Sequence, residues 1–279
     1  MKDIYTRRKD INNIRKGITE KQFKPWYQPI FELKSYESTL GLDSLTLKDL
    51  AGVECLCRWY NPEKGLVMPS EFIELVEKED LLFYITKLML ETSNSELRTI
   101  LNSLNLSGNF FYSINVGISD FNKLTNSYIH SLNHNPPTTP KVELDQFYKP
   151  LNQYSSKSFT KTLNLKTILE VTETRFFNFN DEVLFNQIQS VISNNNISLA
   201  IDDFGAGWGA FTLLLKLPIK YIKIDKQFID DLDICKLIVE ICHSKDIKVI
   251  AEGIEEERQI INLKRLGVDY GQGYFLSSP

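Results

Sequence analysis

Eight short apolar or β-rich runs recur along the chain, at 26–33, 53–59, 109–116, 167–173, 198–204, 221–225, 248–254 and 270–276. Most are separated by stretches with the apolar spacing of a helix, and polar residues recur in or just after the runs. Strands alternating with helices favour a parallel sheet, because each crossover helix returns the chain to the same end. Eight such units close into a (β/α)8 barrel whose strand ends gather at one mouth. The expected fold class is therefore α/β, a TIM-like barrel, with its candidate site at the polar strand ends. Pro29 inside the first run marks that strand as an edge or an irregular one.

The fifth run carries the densest charge. In 198–207, SLAIDDFGAG, apolar and small residues lead into two adjacent carboxylates, Asp202 and Asp203, and a glycine-rich turn follows at once. Two carboxylates ~4 Å apart repel by roughly 4 kcal/mol at an effective dielectric near 20, so a fold keeps them there with cations or donors to neutralise them. A helix N-cap with a spare acid is the plainer alternative for this segment alone.

Around these runs the helices fall in order. Residues 1–22 are charged with isoleucines at 4, 11, 14 and 18 and form a leading helix. Residues 34–51 form a surface excursion, and 61–67 a turn with Pro62 and Gly65. Pro69 and Ser70 open a helix with Phe72, Ile73, Leu75 and Val76 on one side, and residues 119–132 are a further helical candidate. From 133 to 166 the chain is rich in Pro, Thr, Ser, Asn and Lys, too long for an ordinary connection, and reads as a surface insertion. Apolar residues at 184, 188, 191 and 192 mark one buried helix face, and Ile234, Leu237, Ile238 and Ile241 mark another. Gly267 suits the left-handed residue that ends the last helix.

Composition narrows the chemistry. At 42% hydrophobic and 24% charged, 279 residues can bury a full core. A net charge of -4 argues against a nucleic-acid polymer as partner, and the basic residues Arg7, Arg8, Lys9, Arg15 and Lys16 read as one solvated helix face. No apolar run of about 18 residues occurs and no signal-peptide pattern follows Met1, so neither membrane nor export is expected and the expected compartment is the cytoplasm. The pairs Cys55/Cys57 and Cys235/Cys242 do not match zinc-knuckle spacing and read as reduced thiols. His130, His134 and His243 stand apart from the acids, so a metal here would be held mainly by oxygen, which favours Mg²⁺ or Mn²⁺.

Nine segments in order give the chain a family resemblance. They are YQPI at 27–30, ECLCRW at 54–59, P-x-x-FI at 69–73, NV at 115–116, LEVTET at 169–174, IDDFGAG at 201–207, KID at 223–225, AEGIE at 251–255 and GQGY at 271–274. With these the chain resembles the EAL domain family of cyclic di-GMP phosphodiesterases, from about residue 17 to its end. The resemblance implies a modified (β/α)8 barrel with an antiparallel first strand, as a single domain over 1–279. It also implies hydrolysis of cyclic di-GMP to linear pGpG with two divalent cations, and a homodimer.

Carried over by position, the resemblance assigns Glu54, Asn115, Glu170 and Asp202 to one metal and Asp202, Asp203 and Glu252 to the second. Lys223 orients or activates the attacking water, and Glu54, Lys223 and Glu252 form the catalytic set. Gln28 and Arg58 face the nucleotide or its phosphates, with Asp225 and Gln272 around them. Glu173 pins the glycine-rich loop, and Glu255 supports the same mouth.

Two departures stand out. Cys55 replaces the family's usual alanine, a small change in a packed strand. The loop reads DDFGAGWGAF where the family tends to read DDFGTGYSSL, so Trp208, Gly209 and Ala210 replace a tyrosine and two serines. The family couples this loop to dimerisation. The alternative function is a non-catalytic relative that binds cyclic di-GMP or a protein partner; against it, none of the proposed ligands is missing.

Overall fold

The computed structural model describes residues 2–41, 45–104, 106, 108–121, 123–124, 163–172, 181–193, 196–205 and 210–277. The strands within it are β1 (Phe23–Glu32), β2 (Leu50–Asn61), β3 (Gly65–Val67), β4 (Gly108–Asn115), β5 (Leu163–Thr172), β6 (Ile197–Phe204), β7 (Ile219–Ile224), β8 (Lys248–Ala251) and β9 (Tyr270–Gly271). The helices are α1 (Lys2–Thr19), α2 (Ile73–Lys78), α3 (Leu82–Ser103), α4 (Glu182–Ser193), α5 (Ala210–Lys216), α6 (Leu232–His243) and α7 (Glu257–Leu266). No helix among the described residues is long and apolar enough to cross a membrane.

Eight strands close into a barrel in the order β1-β9-β8-β7-β6-β5-β4-β2, with β1 paired back to β2 and β3 appended to β2. β1 runs antiparallel to both neighbours, and the other barrel pairs are parallel. This is the expected TIM-like barrel with an antiparallel first strand. β1 is no edge, because closure gives it a partner on each side, but it is irregular: its register with β2 shifts between Ile30 and Phe31, next to Pro29. Pro25 and Pro29, four apart, withhold donors on the same edge of β1, and its ladder to β9 covers only Phe31 and Glu32.

Several boundaries differ from the sequence reading. Within 61–67 the chain makes a hairpin, pairing Trp59 with Val67 and Asn61 with Gly65. The 133–166 segment is shorter at its end, since Leu163 already begins β5; residues 125–162 lie outside the described residues. In 34–51, β2 starts at Leu50, and residues 42–44 lie outside the description. Of the 119–132 helix, only the short turn Ile118–Asp120 falls largely within it. α6 buries Cys235, Ile238, Val239 and Cys242, leaving Ile234 38% and Leu237 54% exposed. Those four buried positions form an i, i+3, i+4, i+7 stripe in which two cysteines act as small hydrophobes, so counting only aliphatics rotated the expected face. Gly267 does end α7, with φ 88°.

The barrel interior is layered. Ile30, Phe111, Ile168, Ala200, Tyr221 and Ile250 form their own buried cluster, with Ala51 and Tyr270 packed against it, one residue from each barrel strand. The rings of Phe111, Tyr221 and Tyr270 meet at 5.5–6.4 Å between centroids. Side chains alternate across a strand, so the residue two positions toward the mouth faces the same interior. Those residues are Gln28, Ser113, Glu170, Asp202, Lys223, Glu252 and Gln272. On β2 the count runs from Gly52, the partner of Ile30, to Glu54, because the register shift beside it leaves Ala51 outside the pairing. An apolar floor therefore supports a polar ring. The larger core lies outside the strands, from Ile14 on α1 to Leu263 on α7.

Gly52 makes room for the floor: a Cβ there would lie 2.4 Å from the Phe111 ring and 2.5 Å from the Phe111 carbonyl oxygen. Gly52→Ala should therefore destabilise by about 1–3 kcal/mol, read as a lower urea midpoint at unchanged slope. Adding Phe111→Leu should recover part of the loss. An unchanged midpoint would show slack at this layer.

Candidate active site

Lys223 stands at the centre of the polar ring. Its Nζ lies 2.7 Å from Glu252 Oε1, 3.1 Å from Glu170 Oε2, and 3.2 Å from both Glu54 Oε2 and Asp202 Oδ1. β2, β5, β6 and β7 supply Glu54, Glu170, Asp202 and Lys223, and Glu252 and Gln272 follow β8 and β9 directly. Gln272 Nε2 donates to Glu54 Oε2 at 2.6 Å and to Glu252 Oε1 at 2.8 Å. Asn115 Nδ2, at the end of β4, donates to Glu54 Oε1 at 3.2 Å.

Consecutive residues on a regular strand point to opposite faces, so Asp202 and Asp203 need a distortion to act together. The β6–β7 register breaks between Ile201 and Phe204, and Asp203 takes φ 53°. Aspartate tolerates this left-handed conformation better than most residues, and the bulge re-aims its side chain. As a result Asp202, Asp203 and Glu252 each offer an oxygen within 4.8 Å of the others.

The ring is short of positive charge. Burial pushes Glu170 well above the ordinary carboxylate range, Lys223 working against it and the neighbouring acids adding to it. Burial also lifts Glu252 to about 8, opposed by Lys223 and reinforced by Asp202 and Glu54. Asp203 rises to about 6 through burial, then Asp202, then its contact with Asp225. For Glu54 burial acts upward, but Lys223, Gln272 and Asn115 together outweigh it and hold the carboxyl below its usual value. Burial lowers Lys223, yet the surrounding carboxylates hold its pKa well above the lysine norm.

These residues fit a hard divalent cation. Glu170 Oε1 is buried without a hydrogen-bond partner, and Asp202 Oδ1 meets the Lys223 ammonium without hydrogen-bond geometry. Anionic oxygens in this number suit Mg²⁺ or Mn²⁺. The second expected ligand set, Asp202, Asp203 and Glu252, gathers on itself. Three of the first set, Glu54, Glu170 and Asp202, converge on Lys223, with Asn115 one bond away through Glu54.

Gln28, Arg58, Asp225 and Glu255 line the same cavity of about 370 Å³ as Glu54, Asp203, Glu252 and Gln272. Arg58 lies 5.1 Å over the Trp26 ring and donates from Nη1 to the Cys57 carbonyl at 2.9 Å, while its buried Nε has no partner. Asp225 Oδ1 accepts the Gln227 backbone N–H at 2.8 Å. The backbone N–H of Glu255 donates to Gln259 Oε1 at 2.9 Å. Glu173 and residues 206–209 of the loop 204–211, including Trp208 and Gly209, lie outside the described residues. Lys226 and Tyr274 also line the cavity and were not anticipated; Lys226 directly follows Asp225, and Tyr274 is two after Gln272. A larger hollow of about 830 Å³ takes in only Asn115 of the expected residues, so size does not mark the site.

The sequence matches the EAL domain profile over residues 11–156 and 160–279. This chain belongs to the EAL domain family. The EAL chain is 26% identical over 275 residues to cyclic di-GMP phosphodiesterase PdeL of Escherichia coli K12, covering 94% of this chain and 64% of the relative. It is 30% identical over 237 residues to the bifunctional diguanylate cyclase/cyclic di-GMP phosphodiesterase MucR of Pseudomonas aeruginosa, covering 82% of this chain and 31% of that one. It thus spans less than two thirds of either relative's length. Among solved structures, the EAL enzyme Bd1971 with cAMP and cyclic di-GMP bound superposes with a TM-score of 0.73 at 26% identity, over 99% of this chain and 67% of that chain. The PaMucR phosphodiesterase–c-di-GMP complex gives 0.71 at 25% identity, over 97% of each chain.

The charge deficit has a pH signature. Glu252 and Asp203 have folded pKa values raised to about 8 and about 6, so the folded protein binds their protons more tightly than the unfolded chain. Their effect is to remove stability as pH rises from the ordinary carboxylate range toward about 8. Lys223, raised from an already high value, is constant across that window, and the stabilising shift of Glu54, held below the ordinary carboxylate value, is fully present throughout it. In EDTA the melting temperature should fall between about pH 5.5 and 8.5, and Mg²⁺ or Mn²⁺ should raise it more at the upper value. A metal-free melting temperature that climbs over this range would show that Lys223 already neutralises the ring.

Proposed function

We propose that this chain is a metal-dependent phosphodiesterase that hydrolyses cyclic di-GMP to linear pGpG. The observation that carries the reading is the convergence of Glu54, Glu170, Asp202 and Glu252 on Lys223, with Asp203 beside them, in a chain whose relatives are named cyclic di-GMP phosphodiesterases. Glu54, Asn115, Glu170 and Asp202 would hold one divalent cation, and Asp202, Asp203 and Glu252 a second. When bound, such ions supply charge neutralisation at the phosphoryl oxygens and a nucleophile near neutral pH.

The chain's own groups do the positioning. Lys223 Nζ offers protons at the centre of the ring and orients the attacking water. Gln272 fixes the carboxylates of Glu54 and Glu252 relative to one another. Gln28 and Arg58 receive the nucleotide, Asp225 and Gln272 border it, and Glu255 supports the mouth. We also infer a homodimer, supported by Leu215, Leu232 and Leu237 on α5 and α6, which are 76%, 40% and 54% exposed. Four free cysteines suit a reducing compartment, which supports the cytoplasm.

The test is product analysis of the purified chain with cyclic di-GMP and Mg²⁺ or Mn²⁺. Conversion to pGpG is expected, with loss in excess EDTA and in Glu54→Ala and Asp202→Ala. Full activity in EDTA would overturn metal dependence. Binding without turnover would favour the non-catalytic receptor, the reading to which the altered 204–211 loop points.

Lys223→Ala should retain metal binding by calorimetry and lower kcat by at least about 100-fold, since the lysine is a donor beside the water and its loss falls on the chemical step. An unchanged kcat would remove it from the mechanism.

A further inference from the structure

We infer that Lys226 binds substrate, receiving the phosphate of the cyclic dinucleotide that is not being cut; the inference rests on the phosphodiesterase reading above. A cyclic dinucleotide carries two phosphodiesters on opposite sides of its ring. While one is at the acidic cluster, the other is an anion held elsewhere in a mouth that Asp203, Asp225, Glu252 and Glu255 line. It needs a cation of its own.

Three cations stand near. Lys223 is 1% exposed at its side chain and engaged by four carboxylates. Arg58 is 6% exposed and stacked on Trp26, with Nη1 tied to the Cys57 carbonyl and Nε buried without a partner, and it is already assigned to the nucleotide. Lys226 differs from both. It is exposed, and it lines both the site cavity and a second hollow of about 470 Å³ that shares Asp225, Gly253 and Glu255 with it. Lys226 therefore stands on the ridge between the two. Among the described residues no hydrogen bond or ion pair engages its ammonium.

Its stem is nevertheless seated. Gly253, directly after Glu252, has φ 64°, and a Cβ there would lie 2.5 Å from Lys226 Cβ and 3.3 Å from its Cδ. The lysine stem thus lies along the Gly253 backbone while its head stays unspent at the mouth. A side chain already restrained loses less freedom when it binds an anion. Because Gly253 adjoins Glu252, the same turn positions a candidate metal ligand and this cation.

The test compares Lys226→Gln and Lys226→Arg on two substrates in Mn²⁺: cyclic di-GMP, and bis(p-nitrophenyl) phosphate, which has a single phosphodiester. For cyclic di-GMP, Lys226→Gln should raise KM about five- to twentyfold with kcat nearly retained, and Lys226→Arg should recover most of the loss. The preference for the cyclic dinucleotide over the single diester should fall by the same factor. Equal loss on both substrates, or none on cyclic di-GMP, overturns the inference. Calorimetric titration of cyclic di-GMP in EDTA judges Lys226 without turnover: weaker binding by Lys226→Gln supports it, and equal binding overturns it. A wild type that binds but does not hydrolyse would sink the phosphodiesterase reading while leaving this comparison decisive for Lys226; one that neither binds nor hydrolyses overturns both.

Discussion

A single buried ammonium inside a ring of carboxylates sets the terms for the rest of this barrel. Lys223 lies within 3.2 Å of four acids that arrive from four different strand ends. One positive charge cannot balance them, and removing charge from water is costly unless it is paired. The protein partly answers with amide donors, Gln272 and Asn115, which stabilise Glu54 without adding charge. The remaining deficit shows as raised carboxyl pKa values at Glu170, Glu252 and Asp203. A site in that state is electrostatically suited to a cation.

The ring is possible because of what lies beneath it. One apolar residue from each barrel strand forms a floor, and the strand period of 2 then brings the next inward position to the mouth. The floor is closely packed, with three aromatic rings in contact and Gly52 omitting a side chain so that Phe111 fits. The acids are thus placed by packed strands more than by loops. Asp203 is the exception: a bulge and a left-handed backbone turn it to the same side as Asp202.

Much of this was legible from residue order. An apolar residue followed two positions later by an acid, amide or lysine recurs at Ile168/Glu170, Ala200/Asp202, Tyr221/Lys223, Ile250/Glu252 and Tyr270/Gln272. That pattern carries both the barrel and its mouth. The hairpin at Gly65–Val67 was not legible, because three residues are too few for a period to register. The buried face of α6 is not legible from its aliphatic residues alone, because Cys235 and Cys242 act there as small hydrophobes. Lys226 carries no such signal, because nothing in its own neighbourhood of sequence says that the Gly253 turn will lie under its stem.

What the order of residues could determine is what depends on neighbours in sequence: alternation, period, caps such as Gly267, and which strands end in charge. Those are local properties of backbone sterics and side-chain polarity, and they fixed the eightfold barrel and most of its candidate acids. What waited for the tertiary structure was everything that depends on distance between remote positions. Glu54 and Lys223 are 169 residues apart in sequence, yet they are in contact. That Lys223 meets four acids at once, that Asp203 turns beside Asp202, and that Lys226 remains unspent are consequences of barrel closure and one strand bulge. Electrostatic balance is a sum over neighbours in space, and only the closed fold says which neighbours those are.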